Sequence, residues 1–206
     1  MDHKQHWEQI YSTKPSDAVS WFQGHADLSL RLIHNTGLGR DAAIIDVGAG
    51  ASTLVDDLLA EGYTDLTVLD LSPAALMVAK QRLAKHAECV RWAEGDVTRA
   101  EFPAHRFDIW HDRAVFHFLT EPADRQAYVE QVVRSVRPGG HVIVATFAED
   151  GPEKCSGLPV VRYQPESLHA EFGDAFLLVG HEKEAHHTPS GAVQQFVYCY
   201  CRKADC

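Results

Sequence analysis

The stretch Ile44-Ile-Asp-Val-Gly-Ala-Gly-Ala-Ser-Thr53, followed by Leu66-Thr-Val-Leu-Asp70, decides how this chain is read. An apolar run enters a glycine-bearing turn, a helical pattern follows, and a second apolar run ends in an acid. Gly48 and Gly50 allow a tight turn and let backbone approach a ligand with no Cβ in the way. A carboxylate about 20 residues beyond the second glycine is placed to accept hydrogen bonds from a ribose diol. The stretch therefore reads as a nucleoside-cofactor site.

Two details narrow the cofactor. Asp46 lies two residues before Gly48, inside the strand end, and Thr53 stands where a dinucleotide fingerprint has its third glycine. A pyrophosphate favours a glycine-rich turn feeding a helix N-terminus; a cofactor without phosphates has no such need. Asp46-Val-Gly48-Ala49-Gly50-Ala-Ser52 resembles motif I of the class I S-adenosylmethionine-dependent methyltransferases, with Ser52 replacing that motif's frequent last glycine.

At 206 residues the chain is long enough for one domain with a substantial core. We expect a single domain over residues 1–206, with residues 1–40 as a lid or cap within it. A composition 45% hydrophobic and 23% charged is that of an ordinary globular protein. No apolar run approaches the roughly 18 residues of a membrane span, and Met1–Trp7 lack the apolar core of a secretory leader. The expectation is a cytoplasmic protein with no membrane partner. A net charge of −10 without a Lys/Arg stripe argues against nucleic acid as a partner. A monomer and a homodimer both remain open.

Five cysteines (Cys89, Cys155, Cys199, Cys201 and Cys206) read as reduced thiols in such a compartment. Cys199-Tyr-Cys201 lacks the paired ligand spacing of structural zinc, and its alternation with Phe196, Tyr198 and Tyr200 reads as a β-strand. No metal is expected.

Along the chain, Ser29–Ile33 suggests a helix before strand one at Ala43–Val47. Leu54, Val55, Leu58 and Leu59 repeat at helical spacing up to Gly62, and strand two is Leu66–Leu69. Ser72-Pro73 supplies an N-cap and first-turn proline for a helix bearing Leu76, Ala79 and Leu83. Val90–Trp92 and Phe107–Trp110 are strands three and four. Tyr128 to Val136 mark a helix stopped by Arg137-Pro-Gly-Gly140, and His141–Phe147 is strand five, followed by a long loop from Ala148 to Pro159. Strand–helix alternation predicts an α/β fold, a mostly parallel sheet with helices on both faces. Phe176–Val179 and Val193–Tyr200, joined through Thr188–Gly191, leave no room for a crossover and predict a C-terminal antiparallel hairpin. The sum resembles the Rossmann-like, seven-stranded methyltransferase sheet.

The resemblance runs from about Ile44 to Phe147 and implies a site. Gly48, Ala49 and Gly50 would pass the methionine part of S-adenosylmethionine, and Asp46 would orient that turn. Asp70 would hold the ribose hydroxyls with Leu71 against adenine. Asp96 would accept from the adenine amine beside the apolar Val97, and Tyr11 would close on the cofactor from the lid. After strand four, His111-Asp112-Arg113 would face the sulfonium, His111 also touching cofactor, and His117 would stand where many small-molecule methyltransferases carry a histidine. Histidine titrates near neutrality and suits a base, so His111, Asp112 and His117 are the catalytic candidates. Asp112-Arg113-Ala114 resembles the thiopurine and thiol methyltransferase branch. Trp7, Trp21, Arg113 and Cys155 are the candidate substrate contacts, the last on a loop whose length suits binding. His186-His187 offers a further closing element.

The implied activity is methyl transfer from S-adenosylmethionine to a small-molecule sulfur, nitrogen or oxygen nucleophile, leaving S-adenosylhomocysteine. Alternatives are a protein lysine or side-chain methyltransferase, an NAD-dependent oxidoreductase, disfavoured by the missing third glycine, and a non-catalytic nucleoside-binding module.

Overall fold

The computed structural model describes residues 3–205. Met1 and Asp2, the outer end of the expected lid, and Cys206, the last of the five cysteines, lie outside them. In chain order the elements are α1 (His3–Thr13), α2 (Asp27–Asn35), β1 (Ala43–Val47), α3 (Leu54–Ala60), β2 (Asp65–Asp70), α4 (Pro73–Leu83), β3 (Val90–Glu94), β4 (Phe107–Arg113), α5 (Pro122–Ser135), β5 (Val136–Phe147), the short pair β6 (Lys154–Cys155) and β7 (Leu158–Pro159), α6 (Pro165–Phe172), β8 (Phe176–His187) and β9 (Val193–Lys203). Seven strands form one sheet in the order β3-β2-β1-β4-β5-β9-β8. The first five run parallel, and β9 joins β5 antiparallel with β8 outside it.

The strands are apolar on both faces because both faces are covered. On one face Ile44, Leu66, Val68 and Ile109 meet Leu32 and Ile33 of α2, Leu54 and Leu58 of α3, and Leu76 of α4. On the other, Ile45, Val47, Trp110 and Val142 meet Tyr128 and Val132 of α5 and Leu168 and Phe172 of α6. Local chemistry sets the boundaries. Ser72 Oγ accepts from Ala75 N–H at 3.1 Å to cap α4, with Pro73 in its first turn.

The structure departs from the sequence reading in three places. First, β4 runs to Arg113 rather than ending at Trp110, so His111, Asp112 and Arg113 belong to the strand and alternate across it. Second, Val136 is the first residue of β5, not the last of a helix. It pairs with Phe107, Arg137–Gly140 bulge out, and His141 pairs with Ile109. Third, α6 lies in a stretch where no helix was expected; Pro165 opens it, and Gln164 and Ser167 form a capping box.

Cys199 and Cys201 lie on one face of β9 with sulfurs 3.2 Å apart. Among the described residues, no three histidine, cysteine or acidic side chains converge as metal ligands, and no helix is long and apolar enough to cross a membrane.

Candidate functional site at the carboxyl ends of the strands

Parallel sheets bind ligands where the strands end, and here a cavity of about 550 Å³ opens at the ends of β1, β2 and β4. That volume lies within the roughly 300–1,000 Å³ typical of small-molecule sites. Gly48, Leu69, Asp70, Leu71, Asp96, Val97 and Thr98 line one half; Trp7, Tyr11, Trp21, Arg113, Val115, Phe118, Leu119 and Cys155 line the other. A smaller pocket of about 50 Å³ lies past the glycine turn, walled by Ser29, Asp46, Ala49, His111 and Arg113. Val47, Gly48, Trp21 and Arg113 border both.

The turn needs its glycines. Gly48 and Gly50 hold φ of +60° and +52°, where a Cβ is strained. A Cβ on Gly50 would lie 2.4 Å from the Tyr11 hydroxyl and 3.3 Å from Asp70 Oδ2, so the turn, α1 and the carboxylate converge there. Asp70 Oδ1 accepts from Ser72 N–H at 2.8 Å. Burial pushes the Asp70 pKa up to about 7, the Asp46 charge adding to this, against backbone N–H bonds from Ser72, Gly50 and Leu71. Tyr11, half-buried beside Asp70, has its phenol raised well above the ordinary value by desolvation and then by the acid's charge. Asp96 Oδ1 accepts from the N–H and hydroxyl of Thr98 at 2.9 and 2.8 Å, leaving its second oxygen for a donor in the cavity.

In the other half, α1 crosses the opening. Trp7 packs edge-on against Trp21 and Phe118, with centroids 5.5 and 5.1 Å apart, and Glu8 accepts from the Ser72 hydroxyl at 2.7 Å. Arg113 is held from behind: Nε donates to the Tyr198 hydroxyl at 2.9 Å and Nη2 to Glu184 at 3.1 Å. Cys155 is buried, its thiol raised by burial to about 12 although Arg113 pulls the other way. His186 lies in β8, not in the hairpin loop, and ties the N-terminal segment down through the Ser20 carbonyl at 2.8 Å.

The three residues expected to do chemistry are not presented to the larger cavity. Strand alternation turns Asp112 to the α5 face, where Oδ1 accepts from Val115 N–H at 2.8 Å and Oδ2 from Phe116 N–H at 3.1 Å and the Tyr128 hydroxyl at 2.7 Å. His117 is fully buried; Nδ1 accepts from Phe147 N–H at 3.2 Å, and the ring packs on Phe118 and Phe147. Burial, then the charge of Arg113, lowers its pKa to about 3. His111 has both nitrogens engaged, by Asp46 and Ser29. We expect His117→Ala to lower thermal stability, since it opens a core void and orphans a backbone N–H, at a cost of about 2–4 kcal/mol. Turnover at saturating cofactor should change less than about fivefold, because the ring lies outside the cavity; a loss on the general-base scale of 10²–10⁴ in single-turnover rates would contradict this placement.

Residues 44–140 match a family model described as a methyltransferase domain. Over that stretch the chain is similar to a methyltransferase domain. It is 27% identical over 167 residues to malonyl-[acyl-carrier protein] O-methyltransferase of Paenibacillus sp. (strain JDR-2), an alignment covering 78% of this chain and 55% of that protein. It thus spans about half the length of that relative. It is 29% identical over 186 residues to EEF1A lysine methyltransferase 4 of Mus musculus, covering 84% of this chain and 71% of the relative. The N-methyltransferase NodS from Bradyrhizobium japonicum WM9, solved with S-adenosylhomocysteine, shares the fold: TM-score 0.75, 17% identity, 98% of this chain and 99% of that one.

S-adenosylmethionine, the cofactor that the resemblance implies, fits the residues present. The glycine cradle has no room for a Cβ at Gly48 or Gly50, and the buried Asp46 keeps one carboxylate oxygen without a partner, facing need for a cationic donor. Several wall residues were not anticipated from sequence. Val115, Phe118 and Leu119 follow β4 in an apolar loop that reads equally well as core, and Ser29 reads as a polar interruption of a helix face.

Proposed function

We propose that the chain transfers the methyl group of S-adenosylmethionine to a small-molecule nucleophile held in the aromatic half of the larger cavity. One observation carries the reading: the buried Asp70 carboxylate and Gly48 of the turn line the same cavity as Trp7, Trp21, Phe118 and Arg113. When bound, the cofactor supplies an electrophilic methyl on a sulfonium leaving group, so orientation carries much of the rate. Asp70 holds the ribose hydroxyls, Asp96 the adenine amine, and Leu71 and Val97 flank the ring. Asp46 and Ala49 bound the methionine end. Residues 1–40 act as a lid within a single domain, Trp7 and Tyr11 sealing the site against water. With His111 and His117 both outside the larger cavity, a proton lost by the acceptor leaves through the rim acids Glu121 or Asp124, which line it. An acceptor that arrives already nucleophilic, such as a thiolate or a neutral amine, suits this arrangement.

A second reading, methylation of a protein lysine, draws support from the mouse relative and from those same rim acids, which would attract a cation. Incubation with methyl-labelled cofactor and separate panels of small thiols, amines and carboxylates, alongside whole protein extract, tests both. Label in small molecules supports the first; label confined to protein overturns it in favour of the second.

Asp70 gives the reading a quantitative check. Asp70→Ala should weaken S-adenosylhomocysteine binding by about 1.5–3 kcal/mol, the scale of a charge-assisted hydrogen bond. The ribose diol donates to the ionised carboxylate, and the empty site holds a proton up to about pH 7. Affinity should therefore rise with pH, about tenfold from pH 6 to 8, and Asp70→Asn should flatten that slope. Calorimetry showing full affinity in folded Asp70→Ala would remove Asp70 from the site.

A further inference from the structure

Behind the glycine turn lies a polar chain that the transfer chemistry does not use. Asp46 and His111 are register partners across β1 and β4, so their side chains meet on one face. His111 Nδ1 lies 2.7 Å from Asp46 Oδ1, and His111 Nε2 lies 2.8 Å from Ser29 Oγ. All three are buried, at 4% exposure for Asp46, 2% for His111 and 0% for Ser29. Asp46 Oδ2 is buried too, with no partner, and all three residues wall the smaller pocket. We propose that Ser29 and His111 are positioning residues that aim Asp46 Oδ2 at the α-ammonium of the bound cofactor. This rests on the cofactor reading above and assigns two residues that touch the ligand only through a third.

The physical case follows from donor counting. An ionised carboxylate only accepts, so the Nδ1 facing Asp46 carries a proton. Nε2 on the far side of the ring meets the Ser29 hydroxyl at 2.8 Å, and that second bond fixes the ring. The fixed ring in turn stops the carboxylate from rotating. What remains is a buried anion with one oxygen satisfied and the other bare, an arrangement costly in a protein interior unless a donor arrives. An ammonium supplies a charge-assisted bond at that oxygen. Without His111, Asp46 would be free to turn, and its preference for a cation would fall. Arg113, on another wall of the pocket, suits the carboxylate of the same amino-acid group.

The test compares S-adenosylhomocysteine with its analogue lacking the α-amino group, by calorimetry on the full chain. The wild-type protein should bind the amino-bearing ligand about tenfold or more tighter. Ser29→Ala and His111→Leu should lower affinity for it about five- to thirtyfold while changing the analogue less than about twofold. His111→Asn, whose amide can donate to Asp46 in place of Nδ1, should recover most of the loss. Ser29→Ala removes one oxygen and keeps the question answerable should His111→Leu fail to fold. Equal losses for both ligands, or unchanged affinity in a folded Ser29→Ala, would assign the chain a purely structural role and overturn the proposal. Loss of the wild type's own preference for the amino group would do the same. Failure of the wild type to bind either ligand would overturn the cofactor reading itself.

Discussion

Gly48→Ala is expected to weaken S-adenosylhomocysteine binding by about 10²-fold or more, close to 3 kcal/mol. Two costs combine. The residue sits at φ +60°, a region in which a side chain costs roughly 1–2 kcal/mol. The new Cβ would also fall 1.8 Å from Val115 Cγ2. Val115 is β-branched and stiff at χ1, and it walls the cavity, so it yields only by moving into the ligand's space. The turn has little freedom to escape, since Gly48 N–H donates to the Leu69 carbonyl at 2.7 Å and anchors it to β2. Calorimetry on the folded variant reads the effect. Affinity within a factor of three of wild type would show that the ligand does not pass this turn.

Asp112→Ala is expected to cost about 3–5 kcal/mol of stability while leaving the cavity's own ligand contacts in place. The carboxylate accepts from two backbone N–H groups and the Tyr128 hydroxyl, and Tyr128 in turn accepts from the Trp110 indole at 2.9 Å. Truncation leaves three donors unsatisfied where water does not reach, each costing roughly 1–3 kcal/mol. The same bonds hold the turn in which Ala114 adopts φ +75°, and relief of that strain would offset only part of the cost. For a chain of this size the midpoint of thermal unfolding should fall by about 6–20 °C. Asp112→Asn, which keeps one acceptor, should fall between. A catalytic Asp112 would show the reverse, a large loss of turnover with an unchanged midpoint.

The contrast between these two residues shows what the sequence could and could not convey. Gly48, Gly50 and Asp70 were legible because their roles are local: a turn needing positive φ, and an acid at a strand end one crossover later. Asp96 and Val97 follow the same logic, and Trp7 and Tyr11 share a helix face by spacing alone. Trp21, Arg113 and Cys155 line the same cavity. The surroundings of His111, Asp112 and His117 were not legible, because strand four was ended at Trp110. Three further residues of strand turn Asp112 toward α5 and leave His111 on the smaller pocket, and the short turn at Phe116–Phe118 carries His117 into the core. The partner of His111, Ser29, is 82 residues away, a contact made by tertiary packing of α2 on the sheet that no local pattern encodes. Helix α6 escaped for a related reason. It offers only Leu168 and Phe172 to the core, a single i, i+4 pair, where α3 shows four apolar positions at helical spacing.

The central claim is that the cavity at the strand ends is an S-adenosylmethionine site and not a dinucleotide site. Thermal unfolding of the purified protein with S-adenosylhomocysteine, and separately with NAD, addresses it directly. A ligand bound only by the native state adds about 2.7 kcal/mol at a hundredfold excess over its dissociation constant, a rise of several degrees. The account expects that rise with S-adenosylhomocysteine, saturating at one site per chain, and none with NAD. A saturable rise with NAD and none with S-adenosylhomocysteine would contradict it.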